Sequence, residues 1–230
     1  MNKVEGLHHI AICTADMKQQ IEYFTDVLGM ELVALYWMHG VANTWHGFLR
    51  LNDESSVAFV CNPEIGQIPV EFGKTHAGNP AANVARGAMQ HLALRVKDET
   101  EMLAMRDRIR SKGVPVLGPI DHGLCKSIYF AGPENLSLEL SCSDEPISAE
   151  AWIDPEVMAL AGISAEDLAR YKRPTAFADS RGGVAQPSAT AVGPHMTNYP
   201  AGAYERMIST PDAAVRNSVD NSPPVQIARA

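Results

Sequence analysis

Polar and apolar residues alternate along two short stretches that are near copies of one another. His9-Ile-Ala-Ile-Cys-Thr-Ala-Asp16 and His91-Leu-Ala-Leu-Arg-Val-Lys-Asp98 stand 82 residues apart and share their His, Ala and Asp positions. A period of two marks a strand. It places His9, Ala11 and Cys13 on one face and Ile10 and Ile12 on the other. In the second copy His91, Ala93 and Arg95 oppose Leu92, Leu94 and Val96. The same alternation turns His8 away from His9. Each strand then runs into a helical pattern. Asp16 is a suitable N-cap for Ile21, Phe24, Val27 and Leu28, which end at Gly29. Asp98, with Glu99 and Glu101 in the first turn, opens a second helix that carries Leu103 and Ile109 and stops at Lys112-Gly113. Three strand-like runs follow each helix, near 30–38, 41–51 and 55–61, and again near 114–120, 124–131 and 135–142. The pattern is a βαβββ module written twice.

The segments that fall out are a first module at 1–62, a Pro- and Gly-rich linker at 63–87, a second module at 88–145 and a C-terminal arm at 146–230. The arm opens with two short helical patterns, at 154–161 and 164–171, the latter behind a Ser164-Ala-Glu-Asp167 cap signature. Beyond 176 it reads as extended or disordered chain that a partner subunit would hold. Composition narrows the choices. The chain has 230 residues, 46% of them hydrophobic, which is enough apolar material for a core without staples. Its net charge of −8 lacks the basic stripe of a nucleic-acid binder and does not favour an anionic membrane surface. No apolar run approaches a membrane span, and the first residues lack a signal-peptide pattern. Cys13, Cys61, Cys125 and Cys142 form no CxxC pair and read as reduced, buried thiols. The expected location is cytoplasmic.

Chemistry enters at the last strand of the second module. In Leu136-Ser-Leu-Glu-Leu-Ser141 the leucines share one face, and Glu139 shares the other with Ser137 and Ser141. His9 and His91 hold equivalent places in the two copies, so pseudo-symmetry should bring their strands together. Two imidazoles and one carboxylate suit a divalent metal with open coordination positions, typically non-haem Fe(II). Trp37, Trp45, Phe48 and Phe59 are candidate walls of a pocket or members of the core.

The paired modules, with their His-aliphatic-Ala-aliphatic strands and the closing Pro133-Glu-Asn-Leu-Ser-Leu-Glu139, resemble the vicinal oxygen chelate superfamily over about residues 5–145. That superfamily holds glyoxalases, epimerases, antibiotic-resistance proteins and type I extradiol dioxygenases. His122-Gly-Leu-Cys-Lys-Ser-Ile-Tyr129 followed by Pro133 and Glu139 looks like the extradiol signature. Gly132 and Asn135 depart from it at turn positions. The resemblance implies an α+β fold in which paired βαβββ modules form a cupped, partly closed mixed sheet around one metal site. It implies Fe(II), or Mn(II) or another divalent cation, held by His9, His91 and Glu139. His122 would donate a proton to oxygen intermediates, and Tyr129 would touch the bound substrate. A small aromatic diol and O2 would be the substrates, and ring cleavage the reaction. A homo-oligomer, with the arm contributing to a dimer, would be the assembly.

One departure weighs against the dioxygenase expectation. The position that matches a further active-site His of two-domain extradiol enzymes is Ser55, and His46 in the preceding strand is its only nearby substitute. Two alternatives stand beside it. A glyoxalase-type isomerase, epimerase or lyase commonly adds a fourth ligand, a Glu, on the last strand of the first module, where this chain has Val57-Ala-Phe-Val-Cys61. A metal-free small-molecule-binding resistance protein would have lost the ligands that this chain keeps.

Overall fold

The structure is a computed structural model that describes residues 4–177 and 183–226. Each expected module forms. The first runs β1 (His9–Thr14), α1 (Met17–Asp26), β2 (Glu31–Trp37), β3 (Trp45–Asn52) and β4 (Ser55–Cys61). The second runs β5 (Leu92–Arg95), α2 (Glu99–Ser111), β6 (Val116–Asp121), β7 (Lys126–Ala131) and β8 (Ser137–Cys142). Each is a four-stranded mixed sheet, ordered β1-β4-β3-β2 and β5-β8-β7-β6. The first strand of each pairs parallel with the last, and the other pairs are antiparallel. The fold class is therefore the expected α+β arrangement of two βαβββ modules, with open sheets. The helices start where carboxylates meet free amides: Asp16 accepts from the Gln19 amide at 2.9 Å and Asp98 from the Glu101 amide at 3.0 Å. They stop near Gly29 and Gly113, whose φ values of +77° and +80° suit glycine.

Each helix covers one face of its own sheet. Phe24 of α1 meets Phe59 of β4 edge-on at 5.1 Å, and both are fully buried. Met102 and Ile109 of α2 are buried with Ile128 and Leu138 in the same core. Truncating a side chain such as Phe24 to Ala removes about 3–5 kcal/mol. The opposite faces carry the chemistry. In the first module the register sets Ala11 beside Ala58 and Ala58 beside Phe48. In the second it sets Ala93 beside Glu139 and Glu139 beside Tyr129.

The modules are joined by hydrogen bonds around α1. Arg108 donates from Nε to the Val27 carbonyl at 2.8 Å and from Nη2 to the Asp26 carbonyl at 2.9 Å, a cation at a helix C-terminus. Lys112 reaches Asp26 at 2.5 Å. The Tyr23 hydroxyl donates to the Ala131 carbonyl at 2.6 Å. At the other end of the helix, Glu134 accepts from the Thr14 hydroxyl at 2.5 Å, the Ala15 amide at 2.7 Å and the Gln20 side-chain amide at 2.8 Å. Glu134 and Asn135 hold φ values of 54° and 63°, so one departure from the signature, Asn135, falls in a left-handed turn that Asn tolerates, while the other, Gly132, is extended.

After β8 come α3 (Ala149–Trp152), α4 (Pro155–Leu160) and α5 (Ala165–Lys172), the last with the expected Ser164–Asp167 capping box. The chain divides into two compact units. One is Glu5–Trp37 with Asn43–Arg173; the other joins Met38–Ala42 to the chain from Pro174 onward. The expectation of structureless chain beyond 176 is corrected over the described residues by α6 (Ala203–Ser209) and α7 (Asp212–Arg216). Local contacts hold this region: His195 bonds the Tyr204 hydroxyl at 3.2 Å, and Tyr199 stacks on Tyr204. Residues 178–182 and 227–230 of that expectation lie outside the described residues. The cysteine expectation also changes. All four thiols are free and Cys61 and Cys142 are buried, but Cys13, on the helix-free side of β1, is exposed and Cys125, in the loop before β7, is half-buried. Among the described residues no helix is long and apolar enough to cross a membrane.

Burial raises the Tyr23 hydroxyl to about 12. An unfolded tyrosine loses its proton near 10, so the folded state holds more protons between these values and stability falls as pH rises through that window. Tyr23→Phe is expected to cost about 1 kcal/mol at neutral pH, the value of one hydrogen bond, and to flatten that alkaline fall. Urea unfolding of both proteins at pH 8 and pH 11 checks the difference.

Candidate functional site

Glu139 lies mid-strand on the helix-free face of the second sheet and is only 4% exposed. A buried carboxylate needs compensation. Ser141 donates a short hydrogen bond to Glu139 Oε1, and Ser127 in turn bonds Ser141 at 2.8 Å. The other oxygen, Oε2, faces His91 Nε2 at 2.9 Å. Tyr129 occupies the neighbouring strand position, with its ring edge-on to His91 at 6.3 Å. His122 Nε2 lies 3.0 Å from the Tyr129 hydroxyl. Burial raises the Tyr129 hydroxyl above its ordinary value; the Ser127 hydroxyl opposes the shift and the Glu139 charge adds to it. The phenol therefore keeps its proton at neutral pH and can donate.

The orientation of His91 is set by Gln90. The Gln90 amide nitrogen donates to the Pro80 carbonyl at 2.6 Å and the Ala82 carbonyl at 3.2 Å, both in the linker. That fixes the amide so that its oxygen faces His91 Nδ1, in a short contact. An amide oxygen only accepts, so the network assigns the ring proton to Nδ1. Nε2 then presents a lone pair to the Glu139 carboxylate. Two acceptors at 2.9 Å are reconciled by a proton shared between them or by a metal ion beside them. The donor chemistry of this pair, one imidazole nitrogen and one carboxylate oxygen, suits a divalent cation.

His9 stands apart from the pair. It is exposed, its ring lies 5.5 Å from Phe48, and its Nδ1 is 2.8 Å from His8 Nδ1. The expectation that His8 points away from His9 is thus corrected; His8 precedes β1, where strand alternation no longer constrains it. Among the described residues, no three His, Cys, Asp or Glu side chains converge as a metal-binding group. Ser55 shares the face of Val57, opposite to His9, so it does not look into the site; Ser56 is the residue in register with His9. His46 does lie on the helix-free face, beside Tyr36 and Phe48. Burial lowers its ring below the ordinary histidine value and the neighbouring His9 adds to this, while its Nε2 is enclosed without a hydrogen-bond partner. Ala58 holds the first-module position that corresponds to Glu139, so a fourth protein ligand is absent there. Phe59 joins the core, Trp45 packs against it, Phe48 faces the site side, and Trp37 is 66% exposed and belongs to neither. Periodicity singled out His91 and Glu139 but not Gln90, whose role arises from contacts with a linker that has no period.

The family model described as the glyoxalase/bleomycin resistance protein/dioxygenase superfamily matches residues 6–140. The chain is 28% identical over 145 residues to a 2-epi-5-epi-valiolone epimerase from Actinomyces sp, a match that covers 59% of this chain and 78% of that protein. Among solved structures, a glyoxylase/bleomycin resistance protein/dioxygenase domain from Frankia sp. is similar at 13% identity, with a TM-score of 0.48, over 61% of this chain and 99% of that one. The fosfomycin resistance protein FosX from Listeria monocytogenes is similar at 17% identity, with a TM-score of 0.42, over 66% of this chain and 100% of that one. An antibiotic binding protein from Streptomyces sp. is similar at 16% identity, with a TM-score of 0.44, over 63% of this chain and 100% of that one. The family match spans both modules and more than half of the chain, and the protein belongs to the glyoxalase/bleomycin resistance protein/dioxygenase superfamily.

Proposed function

We propose that this protein is a divalent-metal-dependent isomerase or epimerase of a small polar substrate, moving a proton at a carbon next to a carbonyl. The observation that carries the reading is the lone pair of His91 held against the buried Glu139 carboxylate, an arrangement that a cation completes. The 28% identical epimerase supports this choice over the dioxygenase expectation. His91 and Glu139, with His9 as the third ligand, would hold the ion. When bound, it would chelate substrate oxygens and acidify the neighbouring C–H. The chain's own residues then handle the proton. Tyr129 keeps its proton and would offer it to a substrate oxygen. His122, 3.0 Å from that hydroxyl and exposed to water, would take the proton from the substrate carbon and return it to the isomeric position, while the Tyr129 hydroxyl holds the substrate oxygen by a hydrogen bond. Ser141 and Ser127 keep Glu139 from turning away.

Ring cleavage of an aromatic diol with O2 and Fe(II) is the second reading. It is favoured by one observation: His122 and Tyr129, the two non-ligand groups of the extradiol signature, are in contact. A homodimer is the proposed assembly, supported by Leu35 and Trp37, which are 52% and 66% exposed on the edge strand β2.

Four measurements test these proposals. Incubation with Mn(II) and a panel of polyhydroxy ketones in D2O is expected to exchange one carbon-bound proton, read by NMR. O2 uptake with Fe(II) and a catechol panel, without such exchange, would reverse the order of the two readings. Glu139→Gln should keep the thermal unfolding transition yet lose Mn(II) retention, and Gln90→Leu should weaken Mn(II) binding about 10–100-fold by freeing the His91 ring. Unchanged metal content in both variants would overturn the ligand assignment. Size-exclusion with light scattering should give twice the chain mass at micromolar concentration, and Trp37→Glu should halve it.

A further inference from the structure

Arg95 is a cation without a counter-charge. On the strands and helices of the two modules, Lys18, Arg50, Arg106 and Lys126 each pair with a carboxylate, while Arg108 and Arg110 donate to carbonyls. Arg95 of β5 has neither kind of partner among the described residues. Carboxylates are not scarce in a chain with 27 acidic residues against 19 basic ones. Asp144 and Glu145 line the same cavity as Arg95, of about 490 Å3. Asp144 nevertheless turns to Lys126, at 3.5 Å, and neither carboxylate bonds the guanidinium.

The free cation stands beside the buried carboxylate. β5 and β8 run parallel, with Ala93 in register with Glu139 and Arg95 in register with Ser141, whose hydroxyl bonds Glu139. Arg95 is thus a diagonal neighbour of Glu139, about 7–8 Å away along the backbone lattice, a separation that a long side chain spans. Ala93 and Arg95 are exposed, whereas Leu92 and Leu94, which alternate with them, are buried in the core. Strand alternation therefore roots the Arg95 side chain on the helix-free face, with His91, Glu139 and Tyr129. Among the described residues no other Lys or Arg stands on the strands of this face; Lys126 points the other way, to Glu99 of α2. A guanidinium offers a planar fork of N–H donors that fits a carboxylate or a phosphate through two parallel bonds. The chain as a whole, at −8, gives an anion no general attraction, so an anion held here needs such a directed contact.

We infer that Arg95 binds a carboxylate or phosphate group of the substrate, so that the ketone handled at His91 and Glu139 is an anion. The inference rests on the proposed reading of that pair as the reacting end of the site. It adds the charge of the substrate and the residue that recognises it.

Anion binding is tested first, without metal or turnover. Inorganic phosphate and malonate are each titrated into the full chain at constant ionic strength, and the arginine Nε–H signals are followed by NMR. The signal that disappears in Arg95→Ala is expected to shift and saturate, and that variant should bind about tenfold more weakly. Saturation by phosphate alone would identify a phosphate-bearing substrate, and by malonate alone a carboxylate. Arg86→Ala, which removes an exposed and unpaired cation of the linker, is the control and should bind as the wild type does. No binding of either anion, binding that Arg95→Ala leaves unchanged, or equal weakening by Arg86→Ala would overturn the role of Arg95. Proton exchange in D2O with Mn(II) then separates this role from the reading beneath it. With dihydroxyacetone, its phosphate ester and hydroxypyruvate, Arg95→Ala is expected to raise KM about tenfold more for a charged ketone than for the neutral one. An equal change for all three would also overturn the inference. No exchange by the wild type with any of them, while an anion still binds through Arg95, would overturn the isomerase reading and leave the anion site standing.

Discussion

Every strand in this protein serves two surfaces at once, and that constraint organises the rest. Because successive side chains point to opposite faces, the leucines that pack β8 beneath α2 dictate which residues look the other way. Leu138 and Leu140 fix Glu139 as firmly as any contact made by Glu139 itself. The same holds in β1, where Ile10 and Ile12 pack against the core and leave His9, Ala11 and Cys13 on the far side. A shift of one residue in either strand would turn His9 or Glu139 into the apolar layer beneath the helices and turn that layer's own residues out of it, so the helix-side packing guards the register of the chemistry.

The two modules share this plan yet differ at almost every position that could react. In matched places, Glu139 stands against Ala58, Tyr129 against Phe48, and Ser141 against Val60. The second module holds a polar network around a buried carboxylate, whereas the first offers His9 beside a wall of apolar and aromatic side chains. A buried carboxylate is tolerable only with its serine and histidine partners, and the first module has neither a carboxylate nor that need.

Much of this architecture is legible in the sequence, because alternation and helical spacing are local. The repeat of His9 and His91, the six later strands and both helix stops follow from them, and so does the placement of Glu139 among serines. What is not legible depends on contacts between distant segments. Nothing near Gln90 marks it as the residue that turns the His91 ring, since its partners are carbonyls of Pro80 and Ala82. Nothing in Pro133-Glu-Asn135 says that Glu134 reaches the start of α1. Alternation misplaces His8 because that residue precedes the strand. The short helices α6 and α7 leave no mark in the sequence because five to seven residues carry too little periodicity.

The linker carries a consequence of its own. Chain that merely tethers two modules can be lengthened at small entropic cost, but neither half of this connection is slack. The part before residue 79 folds on itself, with a tight helical turn at Ile65–Gln67, a bridge from Phe72 to His76 and a buried Ala77. The part from Asn79 to Gln90 presents the carbonyls that grip the amide orienting His91. An insertion anywhere in the join would disturb folded chain, and one after residue 79 would also turn the His91 ring.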